Sequence, residues 1–343
     1  MRRVVIDTDV GFDVDDAYAL AFAARSPEIS VEGVTTVCGD TVLRAMVARR
    51  VLTLAGRGDI PVMAGLGEPI SDGRRAPMFG FEGEGILEEE ERAAASTGAA
   101  ASTGAIRFLV SKCLSGVTLV TIGPLTNVAV ALRGRMEVAE RVEEVIIMGG
   151  VLGPVVVDGK ELPIRTEYNV NCDPEATITV LESGANITLV PLNTTMRVEN
   201  ALGEAELSML READTPLTRT LLRASRLWLK RLGEMSRAAG MPPERVRLWM
   251  HDPLTVAVAV NRRIFEIEKV RVKAYVERGE LRLALSEEGC EVGVCWNADY
   301  EAFKEMLMER LTGRPAFWLR RRNFNGPAAI DGLANARGVS FLR

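Results

Sequence analysis

The stretch VVIDTDVGFDVDDAYALAFAA, residues 4–24, sets a β-branched run against an abrupt accumulation of acid. Val4, Val5 and Ile6 read as a strand, and the apolar spacing from Ala17 onward reads as a helix starting near Asp15. Asp7, Asp9, Asp13, Asp15 and Asp16 therefore crowd the turn between the two, where like charges repel unless something cationic compensates them. A strand that ends in such a turn and passes straight into a helix is the first unit of a parallel α/β sheet.

The same alternation continues down the chain. ISVEGVTTVCGD precedes TVLRAMVARRVLTLAGRG, and GVTLVTIG precedes PLTNVAVALRG. Further strands are predicted at VEEVIIMGG and NITLVPLN, and a helix at DPEATITVLESG, whose Asp-Pro opening is a good helix start. Residues 199–250 read as mostly helical, and KVRVKAYVERGELRLAL as a hairpin turning near Arg278 and Gly279. The predicted fold is a Rossmann-like open, mainly parallel sheet with helices on both faces and a small C-terminal β-hairpin region. Residues 1–312 are expected to form one domain and 313–343 a tail without periodicity, partly mobile. Two long loops, 66–93 and 150–166, have the length of lids or binding loops. A tandem AASTGA over 94–105 reads as a small duplication without chemistry.

Composition narrows the class. Among 343 residues, 47% are hydrophobic and 26% charged, an ordinary globular balance. A net charge of -5 gives no electrostatic reason to seek nucleic acid or anionic lipid. The five cysteines are scattered and form no CxxC pair, which argues against a disulfide framework or a zinc site and for a reducing, cytoplasmic setting. Asp7 interrupts the first apolar run too early for a secretory leader, and no run is long enough to span a membrane. Glutamine is absent while Arg, Glu, Val and Ala abound, a bias associated with hot environments.

In an open parallel sheet ligands gather at the carboxyl ends of the strands. Asp7 and Asp9, Asp40, Ile122-Gly123 and Met148-Gly149-Gly150 all fall at such ends. Taken singly each is ordinary loop chemistry, because Asp caps helices and Gly makes turns; their common location points to a site. An acidic cluster without paired Cys or His favours Ca²⁺ or Mg²⁺ over zinc. An EF-hand loop is excluded, since counting from Asp7 puts Gly11 fifth and Tyr18 twelfth. A Mg²⁺-dependent phosphatase of the haloacid dehalogenase type, using Asp7 and Asp9, stays open as an alternative, although Gly11 stands where that class carries Thr or Val.

Several separated segments together resemble the nucleoside hydrolases. DTDVGFDVDDA is similar to their N-terminal signature, IGPLTNVAVAL to their Gly-Pro-Leu-Thr-Asn segment, and EYNVNCDPEA and MHDPLTVA to their later substrate and metal motifs; VIIMGG fits as well. The resemblance spans about residues 4–310 and implies a Ca²⁺-dependent ribonucleoside hydrolase that cleaves the N-glycosidic bond of purine or pyrimidine ribonucleosides, one Ca²⁺ per chain. It implies that Asp9, Asp16, Asp252 and the carbonyl of Ile122 hold the metal, and that Asp9 takes a proton from the attacking water. It also implies that Asp15 and Asn169 hold the ribose hydroxyls, that Glu167 and Met148 line the ribose pocket with Asp252 beside them, and that His251 protonates the leaving base. Family members are usually homo-oligomers, so a dimer or tetramer is expected, with a small ribonucleoside as the partner rather than nucleic acid or membrane.

Departures from the family pattern bear on the substrate. Two extra residues separate Gly11 from Asp15-Asp16, so an alignment that uses Asp13 remains open. Asp40 stands where many members carry an Asn that contacts the 5′ end of the sugar. Phe79 and Glu84 stand at the His and Leu positions of a glycine-rich loop, and DGKELPIRTEYN is rearranged. Phe79 either stacks on a base or simply packs. These changes also motivate a third reading, a non-catalytic ribonucleoside-binding protein.

Overall fold

The computed structural model describes residues 1–95, 103–238, 240 and 246–316. Its strands, in chain order, are β1 Arg2–Thr8, β2 Ile29–Thr36, β3 Val62–Ala64, β4 Thr118–Thr121, β5 Glu144–Met148, β6 Val155–Val157, β7 Lys160–Leu162, β8 Ile187–Val190, β9 Ala201–Leu202, β10 Leu248–Trp249, β11 Phe265–Glu277, β12 Glu280–Leu285 and β13 Cys290–Ala298. Nine of them form one sheet in the order β12-β11-β13-β8-β5-β4-β1-β2-β3. The run from β13 to β3 is parallel throughout, and only β11, paired antiparallel with both β13 and the edge strand β12, is reversed.

Alternation along the strands builds a core on each face. Val4 and Ile6 of β1 join one apolar cluster while Val5 joins the other; Ile146 and Met148 of β5 are divided in the same way from Val145 and Ile147. Such two-faced burial explains why these strands read as continuous β-branched runs. The helices Asp15–Arg25, His251–Val260 and Tyr300–Thr312 cover the first face, and Thr103–Leu114, Thr126–Leu132 and Pro174–Leu181 the second.

Register then positions the site. Asp7 pairs with Thr35 of β2 and Thr121 of β4, and Met148 with Val190, so Asp9, Ile122 and Met148 emerge along one carboxyl edge. Two helices start there: Asp15–Arg25, buried over nearly its whole length, packs against the equally buried His251–Val260. Their N-termini converge, and the Asp252 N–H donates to Asp15 Oδ2 at 3.1 Å.

The hairpin expected near residue 278 is present, with Arg278 and Gly279 at φ 51° and 82° between β11 and β12. It is not a separate appendage but the antiparallel edge of the main sheet. The loop 150–166 contains a hairpin of its own, β6–β7, turning on Asp158-Gly159 at φ 49° and 74°. Asp-Gly is a strong turn dipeptide, and its short flanking strands hid it among the glycines and valines. The acidic end of loop 66–93 forms the helix Glu89–Ala95. Residues 96–102 of the tandem repeat, and residues 317–343 of the expected tail, lie outside the described residues.

Asp173 ties the second face together. Fully buried, it accepts from the Ile70 and Ser71 backbone amides, at 2.8 and 3.1 Å, from the Ser71 and Thr126 hydroxyls, both at 2.6 Å, and from Ala176 N at the start of its own helix. Removing it strands several buried donors, each costing about 1–3 kcal/mol. Asp173→Ala is therefore expected to lose on the order of 3 kcal/mol in urea unfolding; a variant within about 0.5 kcal/mol of the parent, the range of ordinary surface changes, would refute this role.

Candidate active site

A cavity of about 290 Å³ opens at the carboxyl edge, and its floor is acidic: Asp9, Asp13, Asp15, Asp16 and Asp252 all line it. Oxygen atoms of Asp15, Asp16 and Asp252 lie within 4.8 Å of one another. Protein partners satisfy only part of this charge. The Thr8 hydroxyl donates to Asp16 Oδ1, Val14 N to Asp13 Oδ1 at 2.6 Å, and Asp252 N to Asp15. The buried Arg44 guanidinium lies beneath, yet it donates to the backbone carbonyl of Asp9 and, at 2.6 Å, to that of Cys38.

Burial raises every carboxyl in this group, and their mutual repulsion adds to it. Asp15 is pushed up to about 7; Asp16 and Asp252 rise well above the ordinary carboxylate range, first through burial and then through the neighbouring aspartates. Asp13 rises in the same way, and Asp9 mainly through burial, opposed by Arg44. A donor set of carboxylate oxygens, tightly grouped and under-compensated among the described residues, fits a hard divalent cation. The closest trio includes Asp15 in place of Asp9, but both face the same cavity, as does Ile122.

The strand-end motifs have local reasons. A Cβ at Gly123 would stand 2.7 Å from Asp9 N and 2.9 Å from its carboxylate, so the close approach of these two chains needs glycine. Asn127 donates to Asp7 Oδ1 at 2.8 Å and to Thr36 O at 3.0 Å, locking β1, β2 and the helix Thr126–Leu132 together. Asp7 itself is fully buried, bonded to Thr35 and Asn127, raised to about 7 by burial, and absent from the cavity wall. It cannot serve as the nucleophile that the phosphatase alternative requires.

One wall carries Met148, Glu167 and Asn169. Glu167 caps the helix Tyr168–Cys172, accepting from Asn169 N at 2.8 Å, Val170 N at 3.1 Å and Gly150 N at 3.3 Å. Asn169 Nδ2 is held by the Met148 carbonyl at 3.3 Å. His251 also lines the cavity, its Nδ1 2.8 Å from the Thr195 hydroxyl.

Two residues expected at the site lie elsewhere. Asp40 caps the helix Thr41–Leu54 through Leu43 N at 2.9 Å and is not on the cavity wall. Phe79 is also off the wall; it stacks on Phe12, ring centroids 3.9 Å apart, and Phe12 is the ring that faces the cavity. Glu84 pairs with Arg231 at 3.2 Å, fixing that loop to the helix Pro216–Ala238. Asp13, unassigned in the sequence, joins the acidic floor. Sequence reasoning missed Phe12, Trp228 and Trp249, whose rings line the cavity, together with Arg44 and Thr195. Of these only the tryptophans carried a signal, being among four in the chain.

The family model described as inosine-uridine preferring nucleoside hydrolase matches residues 4–305. The chain belongs to this family. It is accordingly an N-glycosyl hydrolase, which sets aside the phosphatase reading and the non-catalytic one. An uncharacterized protein of Schizosaccharomyces pombe is 31% identical over 330 residues, covering 91% of this chain and all of that protein. A pyrimidine-specific ribonucleoside hydrolase of Photobacterium profundum is 27% identical, covering 90% of this chain and 98% of its own. Among solved structures, a plant nucleoside hydrolase superimposes with a TM-score of 0.73 at 26% identity, over 91% of this chain and 99% of that one.

Glu167 gives the cavity a pH signature. Burial raises its carboxyl from the ordinary 4.5 to about 7, against the three amides that favour its anion. The unfolded chain ionises first, so the folded state binds the extra proton; that stabilisation is complete below about pH 4.5 and is lost as pH rises through about 7. Glu167→Gln should therefore gain roughly 3 kcal/mol relative to the parent between pH 4.5 and 7.5. Urea titrations at both pH values, without substrate and at equal cation content, check it; a constant difference refutes it.

Proposed function

We propose that the protein is a Ca²⁺-dependent ribonucleoside hydrolase that releases free base and ribose from purine or pyrimidine ribonucleosides. The observation that carries this reading is the convergence, around one cavity, of an under-compensated carboxylate cluster, the Glu167–Asn169 wall and the chain's single histidine. Breaking a ribosyl bond passes through an oxocarbenium-like state, which needs a base for water, groups that grip the sugar and an acid for the departing base.

Asp9 takes the proton from the attacking water. Asp15 and Asn169 hold the ribose hydroxyls, and Asn169 is already aimed by its bond to the Met148 carbonyl. Glu167 and Met148 complete the sugar pocket beside Asp252. Asp9, Asp16, Asp252 and the Ile122 carbonyl would hold Ca²⁺, whose charge would let the neighbouring carboxylates ionise and would lower the pKa of the attacking water. His251 gives its proton to the base. Phe12, Trp228 and Trp249 offer flat apolar surface on which a base stacks. The family description names both inosine and uridine, which supports leaving the base class open, while the Photobacterium relative is named for pyrimidines. A cytoplasmic salvage role and a homo-oligomeric state complete the proposal.

Three measurements test it. The purified protein should carry about one Ca²⁺ per chain, lost together with thermal stability on chelation and in Asp252→Ala; stoichiometric zinc or full activity after exhaustive chelation counts against it. Ribonucleosides should release base far faster than 2′-deoxyribonucleosides, because a missing hydroxyl leaves buried polar partners unsatisfied; equal turnover of uridine and 2′-deoxyuridine would sink the assigned sugar pocket. His251→Ala should lose about 10²- to 10⁴-fold with nucleosides, yet far less with p-nitrophenyl riboside, whose leaving group departs without a proton. Equal losses on both would make His251 a sugar-positioning residue instead.

A further inference from the structure

Thr195 ends the short helix Leu192–Thr195 that follows β8, and it is fully buried. Its hydroxyl lies 2.8 Å from His251 Nδ1. The spacing between the two is fixed by a third residue, Asn200, also fully buried, whose side-chain amide donates to the Thr195 carbonyl at 2.8 Å and to the Met250 carbonyl at 3.1 Å. Met250 immediately precedes His251. Among the described residues the imidazole is thus held through its own Nδ1 and through the backbone just before it, while the Trp249 ring lies 6.2 Å away at a 32° tilt.

We propose that Thr195 is the positioning residue for His251: its hydroxyl accepts Nδ1–H, fixing the ring so that Nε2 is the nitrogen that exchanges a proton with the leaving base. This rests on the assignment of His251 as the acid. As the glycosidic C–N bond breaks, its electron pair goes to the base, the Nε2–H bond breaks and that proton passes to a base nitrogen. The imidazole left behind keeps its Nδ1 proton on Thr195, so the same hydrogen bond serves the cation before transfer and the neutral ring after it. An uncharged hydroxyl in this place orients the ring without adding another anion beside Asp252.

Because His251 is the only histidine, its ring nitrogens give one unambiguous pair of NMR signals. In ¹⁵N spectra recorded where the ring is neutral, the intact protein should show Nδ1 protonated and Nε2 bare, and Thr195→Val should shift the population toward the Nε2–H tautomer. Thr195→Val should also lower kcat for inosine and uridine about 10- to 100-fold, as loss of one buried hydrogen bond implies, with little change in KM and much less loss on p-nitrophenyl riboside. Thr195→Ser should restore both the tautomer and the rate.

Unchanged tautomers in Thr195→Val, or an Nε2–H ring in the intact protein, would overturn the proposal whatever the kinetics show. Equal losses on both substrates that Thr195→Ser does not rescue would reduce Thr195 to packing. If instead the tautomers respond as expected while His251→Ala leaves nucleoside turnover intact, the assignment of His251 as the acid fails and the hold of Thr195 on the ring stands.

Discussion

The structure depends on holding five aspartates on one small cavity floor, four of them buried and Asp13 half-buried. Carboxylates removed from water and set against one another are unfavourable by several kcal/mol unless partners or a cation compensate them. The fold supplies a partial answer by bringing two helix N-termini to the same point, one beginning at Asp15 and the other at His251. The positive ends of both macrodipoles face the cluster, and the amide of Asp252 bonds directly to Asp15. Arg44 adds a cation from below, but through backbone carbonyls. What remains uncompensated is what makes the floor a place for a hard cation.

That constraint explains features which otherwise look unrelated. Gly123 is needed because Asp9 must approach β4 closely. Asn127 and Thr35 are needed because Asp7 stays buried directly beneath the acidic turn. The tight packing of Asp15–Arg25 on His251–Val260 lets two sequence segments over 230 residues apart contribute to one floor, a separation visible in the Asp252–Asp15 bond itself. Core packing, in other words, is the device that sets the carboxylate geometry.

Legibility in the sequence followed distance along the chain. The strand-helix alternation, the hairpin at Arg278-Gly279 and the Asp173 cap are local patterns, and each was readable because turn and cap chemistry is decided within a few residues. The acidic floor was readable for the same reason, since four of its five aspartates sit in one turn. For Asp40 and Phe79 a residue type at a motif position does not say which way the side chain turns: Asp40 caps its own helix, and Phe79, for which packing is one of the two readings, gives its face to Phe12. Thr195 and Arg44 were illegible because a threonine after a strand and an arginine inside a helix are ordinary until the tertiary fold places His251 against one and Asp9 over the other.

The walls of the cavity differ in how firmly they are held, and the difference follows the chemistry. At Glu167 the bonds are buried and multiple, the amides of Gly150, Asn169 and Val170 meeting one carboxyl group, and beneath the floor Asn127 and Thr35 both meet Asp7. The aromatic rings are anchored otherwise. Phe12 stacks with Phe79, and the loop bearing Phe79 reaches the helix of Trp228 through Glu84–Arg231 and Arg223–Glu88, pairs that stand partly in solvent. Exposed ion pairs contribute about 0–1 kcal/mol each, far less than a buried, hydrogen-bonded carboxyl. On the proposed reading, in which the sugar lies against Glu167 and Asn169, geometry is more tightly fixed at the sugar than at the aromatic rings. An apolar face of that kind would suit recognition by stacking, which tolerates more than one base, whereas the buried polar groups of the proposed sugar side would be least tolerant of a missing hydroxyl.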